Sequence, residues 1–170
     1  KRMLSITDAI PKPLIEINNI SLLKNSIDFL FKIGCKKIII NTHYKSNLIC
    51  DFINEFYSNS NITISYETKL LDTAGGVKNA MKLFDDEDVV VTNCDIYWKK
   101  DNEKDVINFI NSYNSKDECR LLLVKKEQAF GLINNKGDFS IKNNIVKRWK
   151  EDEEIFYYSG LQMISLNILN

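Results

Sequence analysis

Histidine is almost missing from this chain, with His43 the only one, and its four cysteines stand far apart. Cys35, Cys50, Cys94 and Cys119 form no C-x-x-C pair, so a zinc site of imidazole and thiolate ligands is not expected. The same spacing reads as free thiols in a reducing compartment, and the expected location is the cytoplasm. Formal net charge is zero and the pI is near 6.8. The excess of basic residues that drives binding to nucleic acid or to a membrane surface is therefore lacking. No apolar run approaches the ~20 residues that a membrane span needs. No signal peptide is visible, since the first residues are polar and lead into Pro11 and Pro13.

What is present fits a globular protein. The 170 residues are 44% hydrophobic and 27% charged, which is ordinary for a soluble domain. A chain of this length buries roughly 70% of its unfolded surface, and no linker, repeat or low-complexity segment divides it. The expectation is one domain over residues 1–170.

Val89-Val90-Val91-Thr92-Asn93-Cys94-Asp95 is the most informative stretch. Its continuous apolar run predicts a strand covered on both faces, as in a parallel sheet. Ligands gather at the carboxyl ends of such strands. Asp95 therefore marks either a metal or phosphate site or the start of an ordinary turn, which Asp and Asn favour for local reasons.

Strand and helix patterns alternate through the first 125 residues. Pro11 and Pro13 forbid a helix around Lys12, which predicts an extended loop, a strand over Leu14–Ile17 and a turn at Asn18-Asn19. Helical spacing predicts helices over 20–34, 45–57, 72–84 and 101–113. Strands are expected at Lys37–Asn41, Ile62–Tyr66 and Arg120–Lys125. Short antiparallel pieces are expected at Phe130–Ile133, Phe139–Lys142, Val146–Trp149, Phe156–Tyr158 and Leu161–Ser165. The alternation predicts an α/β fold: a Rossmann-like three-layer α/β/α arrangement with a mainly parallel central sheet and a small antiparallel part in the C-terminal half.

Four features carry chemistry. Lys12 is a compact cation suited to phosphate. Gly75-Gly76 sit in the first turn of a helix, where each costs about 1 kcal/mol relative to Ala. They mark either a close approach of a ligand to the backbone or a tight strand-to-helix turn. Asp95 has no neighbouring His or paired Cys, so it suits a hard cation such as Mg²⁺. Tyr158-Ser159-Gly160 is the fourth. Together they suggest handling of a nucleoside triphosphate.

In order along the chain, Ile10-Pro11-Lys12-Pro13-Leu14, Leu71-Asp72-Thr73-Ala74-Gly75-Gly76, Val91-Thr92-Asn93-Cys94-Asp95, Phe130-Gly131-Leu132 and Phe156-Tyr157-Tyr158-Ser159-Gly160-Leu161 resemble motifs of one family. That family is the sugar-1-phosphate nucleotidyltransferases, and Lys1–Thr7 looks like the end of its glycine-rich signature. The short Thr-Ala-Gly-Gly and Tyr-Ser-Gly versions look most like N-acetylmuramate-1-phosphate uridylyltransferases of cell-wall recycling, with mannose-1-phosphate guanylyltransferases as the alternative. The resemblance implies transfer of a nucleotidyl group from a nucleoside triphosphate, UTP favoured, to a sugar 1-phosphate, with release of pyrophosphate. It implies Lys12 and Arg2 at the reacting phosphates and Asp95 on Mg²⁺. Thr73, Gly75, Gly76 and Asn93 would hold the nucleotide; Gly131, Ser159 and Gly160 would line the sugar pocket. The expected partners are those two substrates, with neither nucleic acid nor membrane. Cys94 stands where the family has Gly, and Ser5 where it has Pro. The family's first strand with its glycine-rich loop and its second metal-binding Asp have no counterpart here. The other expectation from these departures is a non-catalytic remnant or a sugar-nucleotide-binding module.

Overall fold

The structure, a computed structural model, describes residues 10–85, 88–129 and 136–169. Pro11 and Pro13 shape its start: Lys12–Leu14 is a single 3₁₀ turn rather than an extended loop. Strand β1 is only Glu16–Ile17, and it returns as β2, Ile20–Ser21, through Asn18 and Asn19, both at positive φ. Asn tolerates this left-handed conformation, which a two-residue hairpin needs.

Ser21 caps helix α1, Leu22–Lys32, by accepting from the Lys24 N–H at 3.1 Å. The helix starts two residues later than its apolar spacing predicts, because Ile20 and Ser21 pair in the hairpin. Gly34, at φ 102°, ends it, as expected of a residue that enters the left-handed region without strain. Strand β3 (Ile38–Thr42), helix α2 (Ser46–Tyr57) and strand β4 (Ile62–Tyr66) follow. β3 and β4 pair in parallel, with Thr42 opposite Tyr66. Helix α3 (Thr73–Ala80) leads through a 3₁₀ turn towards β5, Asp88–Thr92. Helix α4 is Asn102–Asn111 and β6 is Cys119–Lys125. β7 (Phe139–Lys142) and β8 (Ile145–Arg148) form a hairpin around Asn143 and Asn144, again both at positive φ.

The expected split between Phe156–Tyr158 and Leu161–Ser165 is not found. Both belong to one ten-residue strand, β9, Phe156–Ser165, with Gly160 at φ 87° in its middle. β9 is the axis of a five-stranded sheet. It pairs antiparallel with β5 on one side and with β6 on the other, and its first residue pairs with β7. β5 and β6 therefore run in the same direction on opposite edges of β9. The mainly parallel sheet expected from the valine run is thus corrected. Among the described residues only β3 and β4 pair in parallel, and the sheet holding β5 is antiparallel. A continuous apolar run requires cover on both faces. β5 has that cover from helices on either side: Val90 packs against the cluster of Phe29, Trp98 and Val106, and Val89 and Val91 pack against the cluster that includes Val77 of α3.

Helix α1 ties the two sheets together. Leu23 and Ile27 pack with Ile38, Ile49, Ile53 and Tyr57 around β3 and α2. Phe29, on the same helix, packs with Trp98, Val106 and Leu161 around α4 and β9. A third cluster joins Val77 of α3 to Val89, Ile164 and Leu166. Ile27 and Leu161 are essentially inaccessible, and burial of each contributes roughly 1.5–3 kcal/mol. Among the described residues, no helix is long and apolar enough to cross a membrane.

Candidate active site

The 3₁₀ turn aims Lys12 across the molecule at the residue that follows β5 by three positions. Lys12 Nζ lies 2.7 Å from Asp95 Oδ2. Pro11 is buried and fixes the entry of the turn, which closes through the Leu14 N–H to the Pro11 carbonyl at 2.9 Å. Both charged side chains keep access to solvent, 45% for Lys12 and 38% for Asp95. An ion pair this exposed adds little stability, so it leaves a cation and an anion available to a ligand.

Three contacts hold the Asp95 turn. First, the Asn93 N–H donates to the Gly160 carbonyl at 2.9 Å, which carries the β5–β9 ladder one residue beyond β5. Second, Gly160 makes room for Ile96: a Cβ on Gly160 would come within 2.2 Å of Ile96 Cδ1 and 3.3 Å of Asn93 Nδ2. Third, Trp98 is buried and stacks on Phe29 with ring centroids 4.7 Å apart and planes 8° from parallel. Beside Gly160, the Ser159 hydroxyl accepts from the Leu161 N–H at 3.3 Å. Lys12, Asn93, Asp95, Ser159 and Gly160 are therefore brought together.

Cys94 lies between Asn93 and Asp95. The residue as a whole is exposed. Burial of its sulfur, reinforced by the charge on Asp95, nevertheless pushes its thiol up to about 11. It is a neutral thiol at physiological pH and a poor nucleophile.

Thr73, Gly75 and Gly76 are positioned by the other sheet. All three lie in the first turn of α3, whose Asp72 carbonyl accepts from the Gly76 N–H at 2.8 Å; the Asp72 side chain makes no cap bond. Gly76 faces two side chains that the motif pattern does not single out. A Cβ there would lie 3.0 Å from Glu67 Oε1 and 3.2 Å from Asn41 Nδ2. Asn41 Nδ2 donates to the Gly76 carbonyl at 2.8 Å and to Glu67 Oε1 at 3.0 Å. The other oxygen of Glu67 accepts from the Leu71 N–H at 3.0 Å. The buried Glu67 carboxylate thus ties the loop before α3 to the helix start. The signal for both residues is position, since Asn41 is the penultimate residue of β3 and Glu67 follows β4, at the strand ends where open sheets hold ligands. His43 Nδ1 lies 2.7 Å from the Glu67 carbonyl and joins the segments that follow β3 and β4. Arg2 and Gly131 lie outside the described residues, as does the strand expected at Phe130–Ile133.

The residues present accommodate a divalent cation under one condition. Among the described residues no cluster of three or more metal-ligating side chains occurs. Asp95 alone offers a carboxylate, with Oδ1 not engaged by Lys12. A hard cation held this way would take its remaining oxygen ligands from phosphates and water, which is the habit of Mg²⁺.

Comparison with known proteins is consistent with this geometry. Residues 1–152 match the family model described as nucleotidyl transferase. Over 174 aligned residues the chain is 26% identical to a mannose-1-phosphate guanyltransferase of Gibberella zeae, covering 99% of this chain and 48% of that protein. It is 32% identical over 104 residues to a D-glycero-alpha-D-manno-heptose 1-phosphate guanylyltransferase of Aneurinibacillus thermoaerophilus, covering 61% of this chain and 45% of that one. The chain spans about half the length of these two relatives. In three dimensions it resembles an inositol-1-phosphate CTP transferase from T. maritima, with a TM-score of 0.77 at 13% identity over 99% of this chain and 67% of the other. HddC from Yersinia pseudotuberculosis gives a TM-score of 0.70 at 23% identity over 94% of this chain and 69% of the other. These likenesses share the mixed α/β fold, and the matched residues include the Lys12–Asp95 pair and the start of α3: the chain belongs to the nucleotidyl transferase family.

Proposed function

We propose that this chain carries the reacting centre of a sugar-1-phosphate nucleotidyltransferase. The Lys12–Asp95 pair at 2.7 Å carries the proposal, because it joins the two residues that motif order assigns to the phosphates and the metal. A phosphate oxygen of the sugar 1-phosphate attacks the α-phosphorus in line. The bond from the α-phosphorus to the bridging oxygen breaks, and pyrophosphate leaves with the electron pair. Such transfer needs placement and neutralised charge more than a protein nucleophile. Lys12 supplies a positive charge to the phosphates, and Arg2 is assigned to the leaving pyrophosphate. Asp95 would hold Mg²⁺, which when bound supplies charge stabilisation and a template for the phosphates. Thr73, Gly75, Gly76 and Asn93 are assigned to the nucleotide, and Gly131, Ser159 and Gly160 to the sugar.

The names of the curated relatives favour GTP with mannose 1-phosphate or a heptose 1-phosphate. The Thr73-Ala74-Gly75-Gly76 sequence favours UTP with N-acetylmuramate 1-phosphate, in cell-wall recycling in the cytoplasm. The test pairs each triphosphate with each sugar phosphate in Mg²⁺ and follows pyrophosphate release. The expected result is release with one pair and none from Asp95→Ala. No release from any pair by a folded chain would point to the binding-module reading, and unchanged turnover in Asp95→Ala would remove the metal assignment.

A further inference from the structure

Asn25 lies on α1, outside every motif that suggests chemistry, yet it holds the segment that carries Asp95. Its side-chain amide grips both backbone groups of one residue. Asn25 Nδ2 donates to the Trp98 carbonyl at 2.9 Å, and the Trp98 N–H donates to Asn25 Oδ1 at 2.6 Å. One turn further along α1, Phe29 stacks on the Trp98 ring. The helix therefore fixes both backbone and ring of Trp98. Trp98 and the Asn93–Gly160 bond bracket a stretch of four residues, Cys94 to Tyr97, with Ile96 seated on Gly160.

We propose that Asn25 is a positioning residue for Asp95, setting the direction of the carboxylate by fixing the far end of its turn. Asp95 is exposed, and among the described residues its side chain pairs with a lysine, whose long side chain is flexible. Its direction must come from the backbone. That backbone is tied at Asn93 by the sheet and at Trp98 by a planar amide that only Asn at this reach supplies with donor and acceptor together. Groups hydrogen-bonded directly to a metal ligand typically contribute 10–100-fold in metal affinity or activity, and a clamp that acts through the backbone is set at the lower end of that range. The proposal rests on Asp95 as the metal-holding residue, so its test separates the two.

The probe is Mn²⁺ with GTP, and separately with UTP, added to ¹⁵N-labelled protein. Paramagnetic broadening of the Asn93–Ile96 amide signals reports occupancy. Four proteins are compared: wild type, Asn25→Ala, Asp95→Asn and Ser21→Ala. The last loses the α1 cap without touching Trp98, so it controls for a loosened helix. The expected result is about a tenfold or greater weakening in Asn25→Ala, no local broadening in Asp95→Asn, and wild-type affinity in Ser21→Ala. Faster exchange of the Trp98 amide in Asn25→Ala accompanies it. Wild-type affinity in Asn25→Ala beside a silent Asp95→Asn overturns the positioning role alone. Broadening that survives in Asp95→Asn, or is absent from wild type with both nucleotides, overturns the metal assignment and the proposal with it. Equal weakening in Ser21→Ala shows that the helix matters and the clamp does not. Asn25→Ser, too short to reach both Trp98 groups, gives the same reading if the alanine variant does not fold. If neither folds, the role is structural and the proposal fails.

Discussion

Gly160→Ala is expected to damage stability and site together. The residue sits at φ 87°, where an L side chain is strained, and leaving the right-handed regions costs about 1–2 kcal/mol. The new methyl group would also meet Ile96 Cδ1 at 2.2 Å and Cγ1 at 3.2 Å. The nearer atom is the end of a side chain that can turn aside, so this part is set at about 1 kcal/mol, the usual cost of an off-rotamer torsion. The sum, roughly 2–3 kcal/mol, corresponds to a fall of about 4–12 °C in midpoint for a chain of this size. Urea unfolding followed by circular dichroism measures it. A double-mutant cycle with Ile96→Ala separates the terms: the steric part should vanish in the Ile96→Ala background and the backbone part should persist. A Gly160→Ala change below about 0.5 kcal/mol, the range of ordinary surface substitutions, would refute the reasoning. So would a cost that Ile96→Ala leaves unaltered, as far as the steric part is concerned.

Lys12→Met should leave stability within about 0.5 kcal/mol, because the pair is exposed, while nucleotidyl transfer falls roughly 10²–10³-fold, as for the loss of one charge-stabilising group; urea unfolding and pyrophosphate release check the two halves. Glu67→Ala leaves the Leu71 N–H without its acceptor and Asn41 without one of its two, and should cost about 1–3 kcal/mol by urea unfolding. The Glu153 carboxyl is held below its ordinary range because it accepts from the Ser140 hydroxyl at 2.6 Å, and also from the Lys150 N–H. A depressed carboxyl contributes stability that is present above its ordinary value and lost as pH falls through the folded one. Ser140→Ala should therefore move the Glu153 titration upward, towards that of an ordinary glutamate, in a carboxyl ¹³C NMR titration.

The parts of this molecule that were legible in sequence are those set by local rules. Asn18-Asn19 and Asn143-Asn144 mark hairpins because Asn enters the left-handed region cheaply. The helix spacing from Leu22 to Phe31 marks α1 because one face must be apolar. The meeting of Lys12 with Asp95 was legible only through motif order, since 83 positions separate them. Strand direction was not legible. The run Val89–Val91 reports that both faces are covered, and helices cover the faces of an antiparallel strand as well as those of a parallel one. Gly160 reads as a break between two strands, while its left-handed backbone in fact lets one strand pass Ile96. Asn25 was silent because its partners are backbone groups, which leave no residue-specific mark in the sequence, and Glu67 because it is shared between the Leu71 backbone and an Asn41 side chain 26 positions away.

The central position of β9 has a consequence in time. Thr92 pairs with Leu161, ~70 residues later, and chains grow at roughly 5–20 residues per second. On the ribosome, the valine strand and the Asp95 turn would wait on the order of 4–14 s for the strand that completes them. During that interval β5 is a nascent apolar segment without its ladder, guarded at its entrance by the charge of Asp88. The β3–β4 pair needs no residue of β9 for its ladder and can form first, while Phe29 of α1 gains Leu161 only later. The Asp95 turn, begun before β9, is therefore completed only after β9 is made.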